Sequence, residues 1–60
     1  MTVRNLIFMN DDWSTDTELT FFDNNEVPFR TATVEDLLQF YPNILDSKVR
    51  NFGSVNIYLK

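Results

Sequence analysis

The first apolar run of the chain lies between Val3 and Met9. Its last four positions are apolar without interruption, and the run contains Val, Leu, Ile, Phe and Met. β-branched and aromatic residues favour strands, and a strand that is apolar on both faces is typically covered on both sides. The pattern therefore predicts a first strand over Val3–Met9 that is central in a sheet or lies at an interface.

The next two apolar runs predict a β-hairpin. Glu18–Asp23 contains Leu, Thr and two Phe, and Glu26–Thr31 returns with Val and Phe. Asn24 and Asn25 between them tolerate positive φ, which suits a tight turn. Pro28 cannot donate a hydrogen bond to a neighbouring strand, so we expect the third strand at an edge of the sheet.

A helix is predicted to begin at Thr33. A hydroxyl residue followed three positions later by Asp36 resembles a capping box, with Asp in place of the usual Glu or Gln. Apolar residues then recur with the i, i+3, i+4, i+7 spacing of one helix face: Val34, Leu37, Leu38 and Tyr41. Pro42 should end the helix near Tyr41. Phe40 lies off this stripe, about 100° from Tyr41 around the helix axis.

Two structures fit the C-terminal segment. Lys48–Phe52 and Val55–Leu59 can form a hairpin across Gly53-Ser54, which we favour, because Gly suits a two-residue turn. Alternatively, Ile44–Phe52 is a second helix closed by Gly53. Val55–Leu59 is a strand in both versions. The predicted fold is one α+β domain over residues 1–60, with a small antiparallel sheet of about three to five strands packed with one main helix.

Composition narrows the possible chemistry. The 60 residues include no Cys and no His, which removes disulfides, thiolate ligands and the commonest general base. The remaining bases are carboxylates, Lys48 and Lys60, and paired carboxylates need a cleft that so short a chain has little room to build. A single Gly excludes a Gly-rich phosphate loop. We therefore expect a protein that is not an enzyme and has no catalytic residue and no cofactor.

Aromatic residues make up 15% of the chain, more than one thin layer of structure covers easily. The surplus is expected in a compact core, a dimer interface or a partner's pocket. No segment reaches the length of a membrane span, and the N-terminal apolar run is too short for a signal peptide. We expect a cytoplasmic protein without membrane contact.

Charge is unevenly distributed along the chain. The net charge is −4, but the stretch from Asp11 to Asp36 holds eight acidic residues and one basic residue, Arg30. From Ser47 to the end there are three basic residues and no acidic one. An acidic face disfavours direct binding to nucleic acid and attracts the basic clefts of DNA-binding proteins. The same face also serves as a solvated surface that keeps an aromatic-rich chain in solution, and the sequence leaves both interpretations open.

The acidic loop Asn10–Asp16 also invites comparison with calcium loops. It lacks the Gly at the sixth position of an EF-hand and the Glu at the twelfth, where Phe21 stands, so no metal site is expected. Trp13 in this loop is either a lid folded onto the core or an interface anchor. The candidate partner-binding residues are Asp11, Asp12, Trp13, Asp16, Glu18, Asp36, Leu37, Phe40 and Tyr41.

The stretch from Glu18 to Asn43 has a family likeness. It runs strand, acidic turn, strand, a helix that begins Thr-x-x-Asp, an apolar stripe, and then Tyr and Asn; the matching residues are Thr33, Asp36, Leu37, Tyr41 and Asn43. This order resembles the very small acidic inhibitors of uracil-DNA glycosylase that some phages encode. Leu38 stands where that family has a functionally important Glu, and Pro42 replaces its Gly.

The resemblance implies a phage-encoded homodimer, formed partly through these helices. Such a dimer would offer an apolar pocket to the glycosylase's DNA-probing loop, with carboxylates standing in for DNA phosphates. The expected function is thus a DNA-mimicking inhibitor of a host DNA-processing enzyme, in the first place uracil-DNA glycosylase. Inhibition of a CRISPR or restriction effector, or a structural role in assembly, remain as alternatives.

Overall fold

The computed structural model describes residues 1–60 and contains three short helices and four strands. The helices are α1 (Val3–Met9), α2 (Val34–Phe40) and α3 (Pro42–Leu45), and the strands are β1 (Glu18–Phe22), β2 (Pro28–Thr33), β3 (Val49–Gly53) and β4 (Asn56–Leu59). The predicted α+β class is confirmed. The predicted single main helix is replaced by two seven-residue helices and a single-turn one.

The first element is a helix, so the strand predicted over Val3–Met9 is wrong. Thr2 caps this helix: its Oγ1 accepts a hydrogen bond from Asn5 N at 3.2 Å, and Asn5 Oδ1 accepts one from Thr2 N at 3.1 Å. The residues that pack inward follow the helical i, i+3, i+4 spacing: Val3, Leu6 and Ile7. Capping and packing on one side outweigh the strand preference of the individual residues.

The four strands form one sheet in the order β2-β1-β4-β3. The pairs β1–β2 and β3–β4 are antiparallel, whereas the two central strands, β1 and β4, run parallel. The sheet is therefore mixed and not wholly antiparallel as predicted. Parallel neighbours require a long connection, and here that connection includes α2 and α3.

The turn between β1 and β2 is held by Asp23. Its Oδ1 accepts hydrogen bonds from Asn25 N at 2.8 Å and Val27 N at 3.0 Å. Positive φ is found at Glu26 (62°) and at neither Asn24 nor Asn25. The prediction that the asparagines adopt this conformation is therefore wrong. β2 begins at Pro28 and lies at the edge of the sheet, as predicted.

The predicted start and end of α2 are confirmed. Thr33 Oγ1 accepts a hydrogen bond from Asp36 N at 3.0 Å, and Asp36 Oδ2 accepts one from Thr33 N at 3.5 Å. Pro42 opens α3 immediately beyond the helix. The apolar stripe predicted for α2 is too wide. Val34 and Leu37 are buried, but Leu38 is 56% exposed.

The C-terminal hairpin is confirmed, and a helix over Ile44–Phe52 is wrong. Its turn consists of Ser54 and Val55, one residue later than predicted, because Gly53 pairs with Asn56 inside the ladder. Ser54 takes the positive φ of this turn, at 54°.

The helices cover one face of the sheet. Ten buried apolar residues from helices and strands form a single core: Val3, Leu6, Leu19, Phe21, Ala32, Val34, Leu37, Leu45, Ile57 and Leu59. The alternate positions of β1 and β4 point to the other face, where Phe22 and Tyr58 stack with ring centroids 4.6 Å apart. Arg50 lies beside this pair, 5.7 Å from the centre of the Tyr58 ring.

Candidate functional site

Six of the nine acidic residues lie in a region made of the loop between α1 and β1, the start of β1 and the first turn of α2. Its segments are joined by backbone hydrogen bonds from the first turn of α2 to the loop between α1 and β1. Glu35 N donates to Thr15 O at 3.1 Å, and Val34 N donates to Thr17 O at 3.2 Å. These contacts satisfy helix N–H groups that would otherwise lack partners. We call this surface the acidic end; its residues are Asp11, Asp12, Asp16, Glu18, Glu35 and Asp36.

The loop that carries three of these carboxylates is also held internally. Ser14 N donates to Thr17 Oγ1 at 2.9 Å, and Asp16 N donates to Ser14 Oγ at 3.3 Å. Trp13 N donates to Asn10 O at 3.1 Å. The backbone that supports the carboxylates is therefore fixed at several points along the loop.

No basic side chain pairs with the acidic end. The only ion pair in the structure joins Arg4 Nη2 to Asp46 Oδ1 at 3.2 Å. Five of the six acidic residues are exposed, and Asp36 is half-buried by its capping role. Unpaired carboxylates on one surface produce a negative potential that attracts cationic groups.

The other charges lie mostly toward the opposite end of the sheet. Asp23 and Glu26 belong to the turn after β1, and Arg50 Nη2 donates to Asp23 O at 3.3 Å. Lys48 and Lys60 are neighbours there, because Lys60 N donates to Lys48 O at 3.2 Å. The fold thus divides the continuous acidic stretch of the sequence into a purely acidic end and a mixed end.

Two exposed apolar residues that were not among the sequence-based candidates directly precede the acidic loop in the chain. Phe8 and Met9, in the last turn of α1, are 78% and 62% exposed. The predicted strand covers these two positions because the run is rich in strand-favouring residues and is apolar on both faces at its end. The spacing of Val3, Leu6 and Ile7 was the available signal that these two positions face outward.

Trp13 is half-buried and packs against the core. This agrees with the interpretation of Trp13 as a lid on the core. The indole therefore anchors the loop that carries the nearby carboxylates.

The structure separates the three apolar and aromatic candidate residues on and after α2. Leu37 is fully buried, so its assignment as a partner contact is wrong: it packs inward from α2 as part of the core. Phe40 is 65% exposed. Tyr41 is half-buried, and its hydroxyl accepts a hydrogen bond from Arg30 Nη1 at 3.1 Å.

Local structure accounts for most of the residues that suggested a family likeness. Thr33 and Asp36 form the capping box, Leu37 fills the core and Tyr41 contacts Arg30. The backbone carbonyl of Asn43 accepts a hydrogen bond from Ser47 Oγ. Comparison with protein-family models, curated proteins and solved structures finds no match for this chain.

The acidic end is an open surface. The structure has no pocket, and nowhere do three acidic side chains approach closely enough to hold a metal ion. None of the three helices has the length and apolar content needed to cross a bilayer.

Proposed function

We propose that this protein is a non-enzymatic inhibitor that binds another protein through its acidic end. The partner would be a host DNA-processing enzyme with a basic DNA-binding cleft, and the carboxylates would stand in for DNA phosphates. The observation that carries the proposal is that six carboxylates without an ion-pair partner lie on segments that backbone hydrogen bonds join to one another.

The fixed backbone supports this proposal on energetic grounds. Binding costs free energy when flexible segments must become ordered, and a loop already held in place avoids part of that cost. Duplex DNA presents closely spaced negative charges, so a basic cleft is built to bind a dense anionic surface. Complementary charge also accelerates association, and it does so most strongly at low salt.

Uracil-DNA glycosylase is the specific target we propose. The support for this choice is the order of elements from Glu18 to Asn43, with its hairpin, acidic turn and Thr-x-x-Asp helix start. Leu38, which stands in place of an acidic residue of that family, is 56% exposed. The glycosylase contact therefore has to rely on the carboxylates of the acidic end and not on that position.

Homodimerisation is also part of the proposal. Its support now comes from α2 alone, because the run Val3–Met9 is a helix and not a doubly covered strand. Leu38 and Phe40 are both more than half exposed, on the two flanks of the buried stripe. Light scattering at micromolar concentration tests for a dimer, and the separate variants Leu38→Ser and Phe40→Ser show which flank forms it. A monomeric mass for the wild type would contradict dimerisation.

Action on a host enzyme places the protein in the cytoplasm of a host cell, as expected for a phage-encoded inhibitor. The test is uracil excision from an oligonucleotide by the glycosylase, with the protein in stoichiometric excess. Inhibition should weaken as salt is added, because charge supplies much of the attraction. Unchanged excision would refute the glycosylase as target, and binding to a CRISPR or restriction effector would then be measured.

A matched pair of charge variants tests the surface itself. Asp11→Asn/Asp12→Asn removes two charges from the acidic end, and Glu26→Gln/Asp46→Asn removes two from elsewhere. The first variant should slow association by about tenfold at low ionic strength, and the second should have a much smaller effect. Equal effects would mean that net charge, and not the acidic end, controls binding.

A further inference from the structure

The most exposed large apolar side chain of the molecule is Phe8, and its neighbour Met9 is also exposed. Single apolar residues on a surface need no explanation, whereas two consecutive large ones expose more apolar area at one end of a helix. We call Phe8 and Met9 the α1 knob. The residues of α1 that face the core are on the other side of the helix: Val3, Leu6 and Ile7.

The fold holds the α1 knob outward. Leu6 is fully buried, which fixes the rotation of α1 about its own axis. The C-terminal end is fixed as well, because Asn10 Nδ2 donates to Leu6 O at 2.8 Å and Asn10 N donates to Ile7 O at 3.3 Å. Phe8 and Met9 therefore cannot turn into the core without breaking these contacts.

The α1 knob directly precedes the acidic loop in the chain. Asp11 and Asp12 follow Met9 after a single residue, and both are exposed. Arg4 is the only basic residue on α1, and Asp46 already pairs with it. The exposed apolar side chains of the knob are thus followed, within three residues, by two exposed carboxylates that have no cationic partner.

We infer that the α1 knob and the carboxylates of Asp11 and Asp12 act together as one docking surface. Its occupant is a partner protein whose surface has an apolar depression bordered by basic side chains. This inference rests on the proposed function and extends it, since charge alone would make no use of Phe8 and Met9. Burial of the knob gives the complex an attraction that salt does not screen.

Charge favours such a partner over a second copy of this chain. A two-fold contact between two α1 knobs would bring the two acidic loops toward each other. Like charges across an interface are destabilising, and each copy brings the same unpaired Asp11 and Asp12. A basic partner instead gains from the same carboxylates.

The test uses a probe that does not depend on the identity of the enzyme. The isotopically labelled chain is titrated with a synthetic amphipathic helix of leucine and lysine, and amide shifts are followed by NMR. The expected shifts centre on Phe8, Met9, Asp11 and Asp12. A peptide of the same charge with glutamine in place of leucine should bind about tenfold more weakly or worse.

Variants complete the test. Phe8→Ser/Met9→Ser should weaken binding of the leucine–lysine helix about tenfold or more. Val27→Ser/Phe29→Ser, which removes two exposed apolar residues from the β1–β2 hairpin, should leave it unchanged.

Three results would overturn the inference: equal binding of the two peptides, shifts centred elsewhere, or a doubling of mass that depends on Phe8 and Met9. The glycosylase assay is independent of the peptide titration. Unchanged uracil excision would refute the glycosylase as target without refuting the docking surface, and a failed titration would refute the docking surface without refuting the glycosylase as target.

Discussion

The guanidinium of Arg30 lies over the ring of Tyr41, 4.6 Å from its centroid, and donates a hydrogen bond to the Tyr41 hydroxyl at 3.1 Å. Arg30 is on the edge strand β2, and Tyr41 directly follows α2. The pair therefore connects the end of the helix to the edge of the sheet. It also engages the only basic side chain within the acidic stretch of the sequence.

This pair should make a small, measurable contribution to stability. Tyr41→Phe keeps the ring but removes the hydroxyl, and should lower the free energy of unfolding by about 0.5–1 kcal/mol. Arg30→Gln removes the cation and should cost about 1 kcal/mol. Urea denaturation measures both, and a double-mutant cycle should give a non-zero coupling energy. Strictly additive losses would mean that the two side chains are neighbours without interacting.

The capping box of α2 should make a contribution to stability of similar size, and it also supports the acidic end. Thr33→Ala removes the hydroxyl that accepts the Asp36 N–H, and should cost about 1 kcal/mol of unfolding free energy. Thr33→Ser keeps that oxygen and serves as the control, with a smaller loss. Faster amide exchange at Glu35 in Thr33→Ala would show that the link from α2 to Thr15 loosens with the cap. An alanine variant as stable as the serine variant would contradict the capping role.

A gain in stability is expected at Glu26. Its φ of 62° lies in the left-handed region, which costs a non-glycine residue about 1–2 kcal/mol. Glu26→Gly removes this cost, but glycine also gives the unfolded chain more conformational entropy, which opposes folding. The net gain in the free energy of unfolding should therefore be up to about 1 kcal/mol. Glu26→Ala, which loses the same charge but keeps a Cβ, should show no comparable gain. Thermal unfolding of the two variants makes the comparison.

The sequence predicted correctly those features that depend on residues close together in the chain, namely the start of α2 and the edge position of β2. Thr33 and Asp36 marked the start of α2 correctly because capping involves residues only three positions apart. Pro28 placed β2 at an edge because the missing N–H is a property of that residue alone. The acidic character of Asp11 and Asp12 was equally visible, although the link from their loop to Glu35, through Thr15, depends on a contact between distant segments.

The features that depend on the whole fold could not be predicted in this way. The parallel pairing of β1 with β4 joins residues far apart in sequence, as in the pair Phe22 and Tyr58. Leu37 was assigned to a partner surface because an apolar stripe does not say whether its cover is the core or another protein. Val3–Met9 was misassigned because a short apolar run fits both a strand and a helix, and packing on one side decides between them.

The identity of this first element can be tested by comparing Leu6 with Phe8. In a strand, residues two apart point to the same face, so the two positions would respond alike. In the helix α1, Leu6 is fully buried whereas Phe8 is 78% exposed. Leu6→Ala should therefore cost about 2–5 kcal/mol, a large share of the stability of so small a domain. Phe8→Ala should change stability by no more than about 0.5 kcal/mol, as for other surface substitutions. Urea denaturation of the two variants measures the difference, with far-UV circular dichroism to confirm that Phe8→Ala is folded. Similar losses at both positions would contradict the helix and leave the α1 knob without its structural basis.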